Sequence, residues 1–184
     1  METANAPEKP NKKEKRMGRE IFSWAGTLIA ALIIALIIRS FVFTFIAVKG
    51  KSMMETLQNG DRLYVSILTA RISGYERGDV VICRYPGRSD YCVKRVIGLP
   101  GDTVAAQNGV IYLNGEPLEE DYVSPIHAAH YDYPETVLAE GEYFLLGDNR
   151  AVSHDSHSAD VGPVTDIVGK ARAIIWPPAH ISGL

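Results

Sequence analysis

Three polar clusters hold the residue types that acyl transfer needs. The first is Gly50-Lys51-Ser52-Met53-Met54-Glu55-Thr56-Leu57. A serine in a glycine-containing turn presents its hydroxyl, and the backbone N–H groups of such a turn can stabilise an oxyanion. The second is Val93-Lys94-Arg95-Val96-Ile97-Gly98-Leu99-Pro100-Gly101-Asp102. Strand alternation puts Cys92, Lys94 and Val96 on one face, and Val93, Arg95 and Ile97 on the other. Burial penalises a lysine's charge. Tuned from ~10.4 toward ~7–8, the amine could take a proton from a serine hydroxyl. The third is Gly147-Asp148-Asn149-Arg150-Ala151-Val152-Ser153-His154-Asp155-Ser156, directly after the apolar run Tyr143–Leu146. Loops at strand ends are where site residues concentrate. Taken singly, each cluster also has an ordinary reading: a common Gly-x-Ser turn, an edge-strand lysine, and a solvated Asx-turn loop.

The elements that must position these clusters are short strands. Arg62–Ser66 alternates, Val80–Arg84 is a short apolar run, Gly87-Arg88-Ser89-Asp90 is a turn, and Tyr91–Ile97 is a strand. Thr103–Ala106 and Val110–Leu113 are separated by Asn108-Gly109 and followed by Asn114-Gly115. Asn-Gly pairs of this kind are hairpin signals, because both turn residues take positive φ. Tyr143–Leu146 and Lys170–Trp176 complete the set, while Leu118–Glu142 reads as an unstructured surface excursion. No stretch after the apolar segment has a helical period, so the body is expected to be antiparallel and all-β.

Ahead of that body, Ile21–Ile38 contains no charged residue. As a helix it spans roughly 27 Å at ~1.5 Å per residue, close to the ~30 Å hydrocarbon core of a bilayer. It is longer than a cleavable signal's apolar region, and Arg39 with the aromatic residues beyond it is not a small-residue cleavage site. Residues 1–20 carry six Lys/Arg against four Glu, a net +2, so residues 21–184 hold −5 of the chain's −3. The positive-inside rule keeps the basic tail, which is expected to lack structure, in the cytoplasm. Phe41–Val48 is aromatic and β-branched, which suits a strand resting on the bilayer surface, an edge strand of the core, or both. No basic stripe with interleaved aromatics is present, so nucleic acid is not an expected partner.

If Val80–Arg84 pairs with Tyr91–Ile97 across the turn, Cys83 faces Cys92. The pair is either two free thiols or one disulfide, which an extracytoplasmic location would preserve. His127-x-x-His130 and His154-x-x-His157 raise a zinc reading, but on strands or loops this spacing does not put both rings on one face. No metal or other cofactor is expected.

Together, in order and spacing, the clusters resemble type I signal peptidases, the bacterial leader peptidases with a Ser–Lys dyad. Ser-Met after an apolar helix and strand is similar to that family's nucleophile box. Lys-Arg-Val-Ile-Gly-x-Pro-Gly-Asp is similar to its general-base box, and Gly-Asp-Asn-Arg-x-x-Ser-x-Asp-Ser to its C-terminal box. Gly169-Lys170-Ala171 through Ile174-Ile175-Trp176-Pro177 also matches, so the resemblance runs from about Ile21 to Pro177. It implies a mainly β fold: one N-terminal transmembrane helix, then an antiparallel β-sheet catalytic domain of the signal-peptidase type. The expected layout is a cytoplasmic tail at 1–20, a signal anchor at 21–39 and an extracytoplasmic peptidase domain at 40–184, single-pass in a bacterial plasma membrane.

The resemblance implies Ser52 as nucleophile and Lys94 as general base. It implies Ser153 as the group orienting Lys94, and Asp155 and Asp148 as holders of the loop. The Ser52 N–H, helped by Gly50, would form the oxyanion hole, and Met53 would pack beside the substrate groove. Preprotein signal peptides and the lipid bilayer are the implied partners. Two positions depart from the family pattern: Glu55 stands where proline is usual, and His157 where arginine is usual, with Arg150 a possible stand-in for that arginine. Competing readings are a membrane-tethered binding module that keeps the fold without the reaction, and a self-cleaving Ser–Lys peptidase. The Gly-Asp-Asn-Arg box and the apolar helix argue against the second, and Lys94 in place of histidine argues for a bacterial-type enzyme.

Overall fold

The structure, a computed structural model, describes residues 12–184, and the chain divides into two units at Ser40/Phe41. The first unit consists of α1 (Lys12–Phe41, ending one residue into the second unit). Its segment Phe22–Phe41 is long and apolar enough to cross a membrane. The helix starts well inside the stretch expected to lack structure; the rest of that tail, residues 1–11, lies outside the described residues. Lys, Glu, Arg and Met are good helix formers, so extending an already nucleated helix through them costs little.

The second unit is built on strands. In chain order they are β1 (Phe43–Ala47), β2 (Arg62–Ser66), β3 (Val80–Cys83), β4 (Cys92–Gly98), β5 (Thr103–Gln107) and β6 (Val110–Leu113). They continue with β7 (Glu116–Pro117), β8 (Tyr133–Val137), β9 (Phe144–Leu146), β10 (Ile167–Trp176) and β11 (Ser182–Gly183). One antiparallel sheet runs β1-β2-β10-β3-β4-β9, with β11 pairing β10, and a second runs β7-β6-β5-β8. Both Asn-Gly turns form as the sequence predicts: Asn108 and Gly109 have φ of 48° and 82°, and Asn114 and Gly115 have 52° and 87°.

Two expectations are corrected here. A short helix, α2 (Ile67–Ser73), follows β2 directly, with the Ser66 hydroxyl capping the Thr69 N–H and Gly74 ending it at φ 68°. The segment Leu118–Glu142 is not an unstructured excursion. It supplies β8, which pairs β5, and Leu138, buried in the core between the second sheet and β9.

A further core cluster gathers Val48, Met53, Leu57, Leu63, Val65 and Ile82 among others. Met53 and Leu57 flank the turn that carries Ser52, so core packing fixes that turn from beneath.

Cys83 and Cys92 are paired in register, as the sequence predicts, and both are free thiols. The hydrogen bond from Val96 N to Asp79 O sets the β3–β4 alternation. By that alternation Cys83 and Cys92 form a hydrogen-bonded pair, whose Cα atoms lie about 5.5 Å apart rather than about 4.5 Å. Burial pushes the Cys83 thiol up to about 12, which leaves it inert.

Candidate active site

Ser52 sits half-buried in the turn after β1, between exposed Lys51 and buried Met53. Gly50, at φ 97°, lets the chain enter the turn, and its N–H donates to Asn59 Oδ1 at 3.0 Å. Thr56 Oγ1 donates to Asp148 Oδ2 at 2.5 Å, tying the turn to the C-terminal loop. The Ser52 carbonyl accepts the Asn149 N–H at 3.0 Å. Among the described residues the Ser52 N–H reaches no protein acceptor, and no hydrogen bond joins Ser52 Oγ to Lys94 Nζ.

Lys94 lies on β4 with its side chain 3% exposed, on the face that alternation assigns it. Its Nζ donates to Ser153 Oγ at 2.6 Å and lies 3.9 Å from Asp155 Oδ2. Ser153 Oγ gives its own hydrogen to Asp155 Oδ2. A hydroxyl has one hydrogen, so Ser153 can only accept from the amine. The amine therefore spends an N–H on Ser153. Once neutral, it keeps its lone pair for another proton.

The electrostatics agree with that state. Burial pushes the Lys94 amine below the ordinary lysine range, with the Asp155 charge opposing it. Burial alone would raise the Asp155 carboxyl. The hydrogen bond from His157, the charge of Lys94, and the Ser153 and Gly147 donors outweigh it and leave the carboxyl below the usual range.

Gly147 is the point where these pieces meet. A Cβ built there would overlap both the Ser52 carbonyl oxygen and Ser153 Oγ, and would lie 2.8 Å from Ser153 Cβ. The absent side chain lets the Ser52 turn and the C-terminal loop close on each other. Asp148 secures the same junction from the other side: Arg95 of β4 forks onto it, Nε at 2.9 Å and Nη2 at 2.6 Å.

The Peptidase S26 family model, described as signal peptidase, peptidase S26, matches residues 21–176. The chain belongs to this family. Signal peptidase IB of Staphylococcus aureus (strain COL) is 35% identical over 177 residues, covering 88% of this chain and 92% of its own length. Signal peptidase I S of Bacillus subtilis (strain 168) is 34% identical over 170 residues, covering 86% and 91%. The crystal structure of a signal peptidase I from Enterococcus faecalis V583 is 30% identical, with a TM-score of 0.45 over 52% of this chain and 95% of that one. Family membership makes this chain a serine peptidase of the signal peptidase class.

Against this family's background, several partners escape a reading of the sequence. Arg150 does not stand in for the missing arginine: it is buried, pairs with Glu120 (Nη1 to Oε2 at 2.9 Å) and donates Nε to the Gly147 carbonyl. The Arg95 guanidinium covers the Tyr122 ring at 4.1 Å. Glu120 and Tyr122 lie in the segment expected to be a plain surface loop, and nothing local in the sequence marks them. Glu55 is 66% exposed, and its carboxylate lies 3.8 Å from His127 Nε2. Met53 is buried in the core at 2% exposure.

Proposed function

We propose that this chain is a membrane-anchored serine endopeptidase that removes N-terminal signal peptides from exported preproteins, with Ser52 as nucleophile and Lys94 as general base. The observation that carries the reading is Lys94: a buried lysine, lowered by burial, hydrogen-bonded to a serine that can only accept, on the loop that grips the Ser52 turn.

In this mechanism Lys94 Nζ takes the Ser52 Oγ proton as the hydroxyl attacks the scissile carbonyl. The Ser52 N–H stabilises the oxyanion; the Gly50 N–H is committed to Asn59, so Gly50 contributes the turn rather than a second donor. Lys94 then protonates the departing amine and the mature protein leaves. A water activated by the same amine releases the signal peptide from Ser52. Ser153 orients Lys94, Asp155 holds Ser153, and Asp148 holds the turn through Thr56. The preprotein enters as an extended strand on a sheet edge, and β1, which leads into the Ser52 turn, is an edge strand. Small residues before the scissile bond fit shallow pockets, the Ala-x-Ala preference that the family resemblance implies.

The apolar helix Phe22–Phe41 supports a single-pass anchor, with the basic N-terminus cytoplasmic and the β unit outside the bacterial plasma membrane. Phe45 on β1 and Leu68 and Ile72 on α2 are exposed, as residues meeting a bilayer surface would be.

The test is product mass from the full chain in detergent, given a preprotein peptide ending its signal in Ala-x-Ala. One cut after the second Ala is expected, lost when that Ala becomes Phe. A peptide that binds and stays whole favours the binding-module reading instead.

A further inference from the structure

Asp155 is a single, fully buried carboxylate shared by two basic side chains. Its Oδ2 accepts Ser153 Oγ and the Gly147 N–H and faces Lys94 Nζ; its Oδ1 takes His157 Nδ1 at 2.5 Å. A carboxylate has no hydrogen to give, so His157 must be the donor. The His157 ring is held flat against Tyr131, centroids 4.2 Å apart, with its side chain 18% exposed.

Other groups near this cluster do not compete. Burial pushes the phenols of Tyr131 (to about 12) and Tyr85 upward and the Cys83 thiol to about 12, so all three stay neutral. Cys92, beside Lys94 on β4, is also raised by burial. Arg150 is matched by Glu120, and on the same loop His154 is matched by exposed Asp160. Arg88, acting on Lys94 from the β3–β4 turn, is exposed and solvent-screened. One negative charge is left to be divided between Lys94 and His157.

We propose that His157 is a positioning residue for the base: it shares Asp155 with Lys94 and thereby sets the pH at which Lys94 gives up its proton. A cation at His157 consumes the Asp155 charge, so the Lys94 ammonium loses stabilisation and yields its proton at lower pH. A neutral donor at 157 leaves more of that charge to Lys94, and the amine holds its proton longer. This rests on the reading of Lys94 as general base.

The test compares the pH dependence of kcat/KM for peptide cleavage in wild type, His157→Arg and His157→Gln, each first checked for wild-type-like thermal unfolding. Arginine fixes a cation at the site; glutamine keeps a donor without charge. The rising limb is expected at lower pH in His157→Arg than in His157→Gln, by about one pH unit or more, the scale of one nearby charge. Wild type should lie between or on one of them. His157→Arg keeps a donor and fixes the cation, so it serves even if the glutamine variant folds poorly: its limb then falls at or below that of wild type. Limbs that coincide in all three, with only kcat reduced, make His157 a structural residue and overturn the proposal. Full activity in Lys94→Ala instead removes the general-base reading, and this inference falls with it. The two failures are thus told apart.

Discussion

On the proposed roles, Ser52→Ala and Lys94→Ala are each expected to lower kcat/KM on a signal-peptide substrate by at least about 10³-fold, since a nucleophile and its base act as one unit. For the same reason the double variant should be no worse than either single one. The Lys94 loss is separable from unfolding. Without the amine, Asp155 still receives Ser153 Oγ, the Gly147 N–H and His157 Nδ1, so the carboxylate keeps its donors. Thermal unfolding of Lys94→Ala should therefore stay cooperative while turnover disappears. Losses that multiply in the double variant would show that the two side chains act independently, which contradicts the proposed dyad.

Gly147→Ala is expected to lower kcat by about 10²-fold, the scale of an ångström-sized misplacement of reacting groups. The added Cβ has no free direction. It meets the Ser52 carbonyl, which is backbone and already bonded to Asn149 N, and it meets Ser153, which is bonded to both Lys94 and Asp155. Either the Ser52 turn or the Ser153 hydroxyl bonded to the Lys94 amine must retreat. Overpacking of this kind costs about 1–3 kcal/mol, so a modest loss in urea or thermal stability should accompany the kinetic defect. Steady-state kinetics beside an unfolding curve check both parts. Near-wild-type turnover would mean that the turn and the loop do not close on each other during catalysis.

How much of this was legible in the sequence depends on range. Local signals carried well. The Asn108-Gly109 and Asn114-Gly115 pairs demanded positive φ, and the turn after Cys83 dictated the register that faces it with Cys92. Alternation in β4 put Lys94 and Arg95 on opposite faces, and Lys94 is buried as that placement requires. Short elements with mixed signals were missed. Pro134 argues against a strand, and β8 accepts it by lying at a sheet edge, where its register with β5 shifts. At seven residues α2 is too short to show a period, although Ser66 and Gly74 are a fair start and stop signal. Partners joined only by the fold were out of reach. Nothing local pairs Glu120 with Arg150 across thirty positions, or makes Gly147 the residue on which Ser52 and Ser153 converge.

The central claim is that Lys94 works as a neutral amine activating Ser52. Its most direct test is the pH dependence of kcat/KM for an Ala-x-Ala peptide between pH 6 and 10, measured on the full wild-type chain in detergent. This ratio reports the groups of the free enzyme. The structure predicts activity rising with pH on a limb whose midpoint lies well below the ~10.4 of a free lysine. A limb at the ordinary lysine value, or a flat profile that Lys94→Ala leaves unchanged, would contradict it.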